Sequence, residues 1–149
     1  GLRYVKDIVG GDEYYVAVLN DDLVLLDHFV TKISSAMLAY GAAVGYPDQH
    51  RRGANLILVD VKPFPLQYRM TGYAFVLRGS AGIFADETMK WWYGDNDIEW
   101  QARTAGGTLM VGGVTVNHLF PDHTTVGALM EQAGRDRETF VKKWGMAPW

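Results

Sequence analysis

Two acidic clusters in this chain have the residue types of a site that holds a polyhydroxylated substrate and removes a proton from it. The first lies in the stretch 91–107, WWYGDNDIEWQARTAGG, where Trp91, Trp92 and Tyr93 run into Asp95, Asp97 and Glu99 at the start of an expected helix. An aromatic face can carry an apolar or sugar ring, and a base for a hydroxyl must be a carboxylate or histidine within hydrogen-bond reach of it. The same acids can equally serve as a helix cap and macrodipole partners, worth up to about 1 kcal/mol. The second cluster is Asn20, Asp21 and Asp22, directly after the apolar run 14–19. Adjacent carboxylates repel, and hard oxygen ligands at a strand end suit Mg²⁺ or Mn²⁺, although Asp21 or Asp22 can also simply cap a following helix. His118 ends another apolar run and can give a ring nitrogen to the same cation or act structurally. His28, His50 and His123 have weaker claims.

The elements that must position these residues read as an α/β pattern. Residues 14–19 are expected to form a buried strand, and 25–40 repeat apolar residues (Leu26, Phe29, Val30, Ile33, Met37, Tyr40) at helical spacing, giving strand, acidic turn, helix. In an open α/β sheet, ligands sit at the carboxyl ends of such strands. Residues 42–53 read as a loop without chemistry, because Gly, Pro and Asp are turn formers. Strands are expected over 55–61, ended by Pro63 and Pro65, and over 73–77, approached through Arg69, Thr71 and Gly72. Asp95 or Asn96 would cap a helix with Ile98, Ala102 and Ala105 on its buried stripe and an exposed Glu99–Arg103 pair. Residues 108–119 read as two short strands or one bulged strand, and 126–144 as helix broken near Gly134.

Composition narrows the function classes. A length of 149 residues matches one domain, 48% hydrophobic and 21% charged residues match a soluble globular protein, and five Trp make it rich in aromatics. A formal net charge of −3 without a long Lys/Arg run argues against nucleic acid or an anionic membrane surface as the main partner. No window has the apolar length of a membrane span and no signal-peptide pattern opens the sequence, so a soluble chain with the cytoplasmic compartment as default is expected. The absence of Cys removes disulfides, thiolate nucleophiles and zinc–thiolate sites. A P-loop, GxGxxG fingerprint or Ser/His/Asp order is also missing.

Taken in order, the segments GDEYYVAVLNDDLVL, TGYAFVLRGSAGIFADE, WWYGDNDIEWQARTAGG and VTVNHLFPDHTT resemble the second half of a family 2 type glycosyltransferase of the GT-A fold, a mixed sheet flanked by helices. The resemblance implies inverting, divalent-metal-dependent transfer from a nucleotide-diphosphate sugar to an acceptor hydroxyl. It makes Asp95 the catalytic base, with Asp97 orienting it or the acceptor. Asp22 becomes the principal ligand of Mn²⁺ or Mg²⁺, with His118 and Asn20 beside it, and Asp21 contacts the donor. Gly72, Trp91, Trp92 and Tyr93 would line the acceptor side. Asn20 stands where a full DxD has its first acid, and Gly94 stands before Asp95 where the family has Glu. The resemblance covers nearly all of 1–149 as a single domain or half-domain, but lacks the family's N-terminal nucleotide-binding portion. A second polypeptide or self-association is therefore the implied partner. The alternative from another class is a non-catalytic carbohydrate- or partner-binding module.

Overall fold

The computed structural model describes residues 1–11, 14–26, 28–119 and 126–149. It is an α/β structure with a mixed sheet between helices. The elements are α1 (Leu2–Val9), β1 (Tyr15–Leu19), β2 (Leu23–Leu25), α2 (Phe29–Tyr40), β3 (Val44–Pro47), β4 (Leu56–Leu58), β5 (Ala74–Arg78), α3 (Gly94–Thr104), β6 (Thr108–Val111), β7 (Val116–His118) and α4 (Ala128–Trp144). The main sheet runs β1-β5-β3-β6-β4, with β3 and β6 parallel and the other pairs antiparallel. A separate ladder joins β2 to β7.

Side-chain alternation builds the layers. Along β5, Ala74 and Val76 pack with Phe29, Ile33 and Met37 of α2, whereas Phe75 and Leu77 pack with Ile98 and Ala102 of α3. Leu109 and Val111 of β6 join the α2 side and Met110 the α3 side, as period-two geometry requires. Phe29, Ile33 and Met37 recur every four residues, which places them on one helical face. A third cluster, Met89, Tyr93, Trp100 and Phe140, joins α3 to α4.

Four expectations need correction. Residues 42–53 contain β3, a fully buried central strand. Its Gly45 looked like a turn former, but it is glycine because α2 crosses there: a Cβ would lie 2.5 Å from Ile33 Cγ2 and 2.7 Å from Met37 Cγ. Gly45→Ala is expected to destabilise the protein by about 1–3 kcal/mol, the usual effect of overpacking, as measured by chemical denaturation. The helix expected from residue 25 begins only at Phe29, because residues 23–25 form β2 and pair with β7. Strand β1 is half-buried, since it pairs with β5 and forms an edge of the main sheet. Finally, α4 runs unbroken through Gly134, where an added Cβ would meet open space; one glycine costs a helix only about 1 kcal/mol. The short helix α1 was not assigned from the sequence, and it has no fully buried residue.

Candidate functional site

One residue of each acidic cluster, Asn20 and Asp95, lines an open cleft of about 520 Å³, together with His118 beside the first and Gly72, Trp91 and Trp92 beside the second; Asp22 is not in the lining itself. At the first cluster, β1 ends at Leu19, and Asn20 donates its backbone N–H to Tyr73 at 2.9 Å. The chain then turns through Asp21 and Asp22 into β2, whose ladder sets Leu23 opposite His118. That register brings His118 Nε2 to 3.0 Å from Asp22 Oδ2. The imidazole also stacks on Tyr73, with centroids 4.7 Å apart. Because β2 follows at once, neither Asp21 nor Asp22 caps α2; His28 is at that position, without a side-chain cap bond.

At the second cluster, Asp95 occupies the first turn of α3. Its carboxyl is surrounded by protein, and this burial raises its pKa above the ordinary carboxylate value. Backbone N–H donors at Asn96, Asp95 itself and Gly72, together with the positive charge of Arg69, oppose the rise without cancelling it. Gly72 has a steric role as well, since a Cβ there would lie 3.1 Å from both the Cβ and Oδ2 of Asp95. The helix cap is Tyr93, in a left-handed conformation (φ 67°), two residues before Asp95 and three before Asn96, the caps expected from the sequence. A non-glycine residue there is strained, and the stacking of Tyr93 on Trp149 together with its tilted contact with Phe140 holds it.

The tryptophan run has an anchor that sequence reading missed. Asp136, from the middle of α4, accepts backbone N–H bonds from Lys90 (3.1 Å), Trp91 (2.8 Å) and Trp92 (2.8 Å), and a fourth from Gln132 Nε2 (2.7 Å). It has no exposed surface. Burial opposes its ionisation, but the backbone donors prevail and hold its pKa below the ordinary value. In sequence, Asp136 is one acid in the charged run RDRETF, with nothing to mark it.

Other expected site residues lie elsewhere. Asp97, assigned beside Asp95 in catalysis, turns away from the cleft and is fully buried against α4. Its oxygens accept from Gln101 Nε2 (2.7 Å), Lys143 Nζ (2.9 Å) and Trp144 Nε1 (2.8 Å). Tyr93 belongs to the core between α3 and α4 rather than to the cleft lining. Asp21 is exposed, and it is not part of the cleft lining either. The Glu99–Arg103 pair forms at 2.6 Å but with both side chains fully buried, so α3 has no solvated charged face there. Met70 N–H on Glu99, and the carbonyls of Asp60 and Lys62 on Arg103, make that burial tolerable. His123 lies outside the described residues.

Among the described residues, no group of three or more His, Asp and Glu side chains forms a metal cluster. Asp22 and His118 nevertheless offer one carboxylate and one imidazole, and Asp22 Oδ1 is buried without a hydrogen-bond partner. Two protein donors fit a hard cation that takes its remaining ligands from substrate phosphates and water. Comparisons with protein-family models, curated proteins and solved structures find no match to the chain. Among the described residues, no helix is long and apolar enough to cross a membrane.

Proposed function

We propose that this chain is the metal- and acceptor-binding part of an inverting glycosyltransferase that uses a nucleotide-diphosphate sugar. The observation that supports this reading most is the cleft that Asp95 and His118 both line, with Asp22 3.0 Å from His118. A base in the cleft and a candidate cation site beside it are the two groups that transfer from a donor to an acceptor requires. The acceptor hydroxyl oxygen attacks the anomeric carbon while its proton passes to Asp95, and the bond from that carbon to the diphosphate oxygen breaks. Attack opposite to the leaving group inverts the anomeric centre. A divalent cation held by Asp22 and His118 would offset the charge on the leaving diphosphate. Trp91 and Trp92 would hold the acceptor ring, and Gly72 keeps the Asp95 carboxyl against the backbone. The unpaired side of edge strand β1 is a place where a strand from a partner could complete the donor side.

The test is a metal titration followed by thermal unfolding. Mn²⁺ is expected to raise the unfolding midpoint, and uridine or guanosine diphosphate to raise it further in the presence of Mn²⁺, because a ligand of the native state stabilises it by mass action. Asp22→Ala is expected to weaken Mn²⁺ binding by about tenfold or more, measured by calorimetry, since it removes the sole carboxylate of the pair. The exposed tryptophans in the cleft support a second reading, a non-catalytic carbohydrate-binding module. An unchanged midpoint with Mn²⁺, together with sugar binding that survives chelator, would favour that module and count against the transferase.

A further inference from the structure

Next to the cleft, a second pocket of about 200 Å³ shares Gly72, Trp92 and Asp95 with it and is lined also by Arg69 and Trp149. Arg69 is the unusual member. It is only 9% exposed, yet among the described residues it forms no ion pair, and its Nε is buried without a hydrogen-bond partner. Glu99 and Asp95 act on it electrostatically, from beyond ion-pair distance. The guanidinium instead lies over the Trp149 ring, 4.4 Å from its centroid, and Trp149 is itself stacked on Tyr93. A buried cation without a bonded anion is costly, and an anionic ligand that bonded to it would offset that cost. Stacking on an aromatic face fixes the plane of the guanidinium, whose N–H donors match a carboxylate in the same plane.

We propose that this pocket is a subsite for a carboxylate-bearing sugar, a hexuronate, whose carboxylate pairs with Arg69 while its ring lies along Trp92. The inference rests on the transferase reading only in placing that sugar on the acceptor side, next to Asp95. The charge count favours a carboxylate over a phosphate: the pocket has one cation beside the Asp95 carboxyl, so a monoanion leaves less uncompensated negative charge there than a dianion does. The small volume also fits a single ring substituent better than a chain of sugars.

Tryptophan fluorescence and calorimetry with sodium glucuronate, glucose and glucose 6-phosphate test this on the chain as it stands, without metal or nucleotide. Glucuronate is expected to bind at least about tenfold more tightly than either of the others, the scale of one charge-assisted pair. Arg69→Met should abolish the preference while changing the unfolding midpoint little, because the lost contact with Trp149 and attraction of Glu99 and Asp95 are offset by removing a charge that is costly to bury. Arg69→Lys should retain part of the preference, since it keeps the charge and loses the planar donor set. Equal affinity for glucuronate and glucose, or tighter binding of glucose 6-phosphate, overturns the assignment, and this wild-type comparison needs no variant to fold. A fall in the Arg69→Met midpoint with no glucuronate preference in the wild type assigns Arg69 a structural role instead. Because metal and nucleotide are absent, failure of the Mn²⁺ titration leaves this result standing, and failure here leaves the cleft reading standing.

Discussion

Asp95→Asn is expected to lower sugar transfer by about 10²–10⁴-fold, the range for losing a general base, in any preparation where the wild type transfers sugar. Asparagine keeps the size and the hydrogen-bond acceptor of the side chain, but it cannot take the proton of the acceptor hydroxyl. The midpoint shift with Mn²⁺ should survive, because the candidate cation site is formed by Asp22 and His118 and does not include Asp95. Stability should change the other way. Burial raises the pKa of Asp95 in the folded protein, so between its ordinary value of about 3.9 and the raised one the folded state binds more protons than the unfolded state. Stability contributed by this group therefore falls as pH rises through that window. The asparagine variant escapes the loss and should be at least as stable as wild type at neutral pH. The same shift sets the acid limb of the rate profile, which should lie above the ordinary carboxylate range and disappear in the variant. Equal turnover of variant and wild type would remove Asp95 as the base.

The convergence that gives this prediction its content was partly legible in the sequence. Asn20, Asp21 and Asp22 after one strand and His118 at the end of another were marked by residue type, and the β2–β7 ladder brings Asp22 and His118 together. Yet the ladder itself was not legible, because Leu23, Val24 and Leu25 run straight into the apolar residues of α2, and a short strand cannot be separated by periodicity from a helix start. Strand β3 was hidden for a different reason. Gly45 and Pro47 carry turn signals, and only the position of Ile33 and Met37 explains why a glycine must stand in the middle of a sheet. Charge misled in the same way at α3: Glu99 and Arg103 have the spacing of a surface pair, but Met70, Asp60 and Lys62 come from distant chain to satisfy them inside. Spacing along a helix reports which residues are neighbours, whereas burial depends on what other segments bring to them.

Asp136→Ala is expected to reduce stability by about 2–4 kcal/mol and to loosen the tryptophan wall of the cleft. The alanine would leave the backbone N–H groups of Lys90, Trp91 and Trp92, and the Gln132 amide, without the carboxylate they now share. Bonds to an ionised acceptor contribute more than neutral ones, and the partial access of 90–92 to water sets the upper limit on the loss. For a chain of this size the midpoint should drop by about 5–15 °C, measured by thermal denaturation at neutral pH. The difference between variant and wild type should narrow in acid. Because the backbone donors depress the pKa of Asp136 in the folded state, its stabilisation is complete above the unfolded value of about 3.9 and is lost as pH falls through the depressed one. The functional consequence separates this residue from Asp97, which also pins α4 to α3 but bonds side chains remote from the cleft. Loss of Asp136 should broaden the indole signals of Trp91 and Trp92 and weaken sugar binding at temperatures where the rest of the fold persists. Retained binding with a lowered midpoint would show that the tryptophans hold their place without α4.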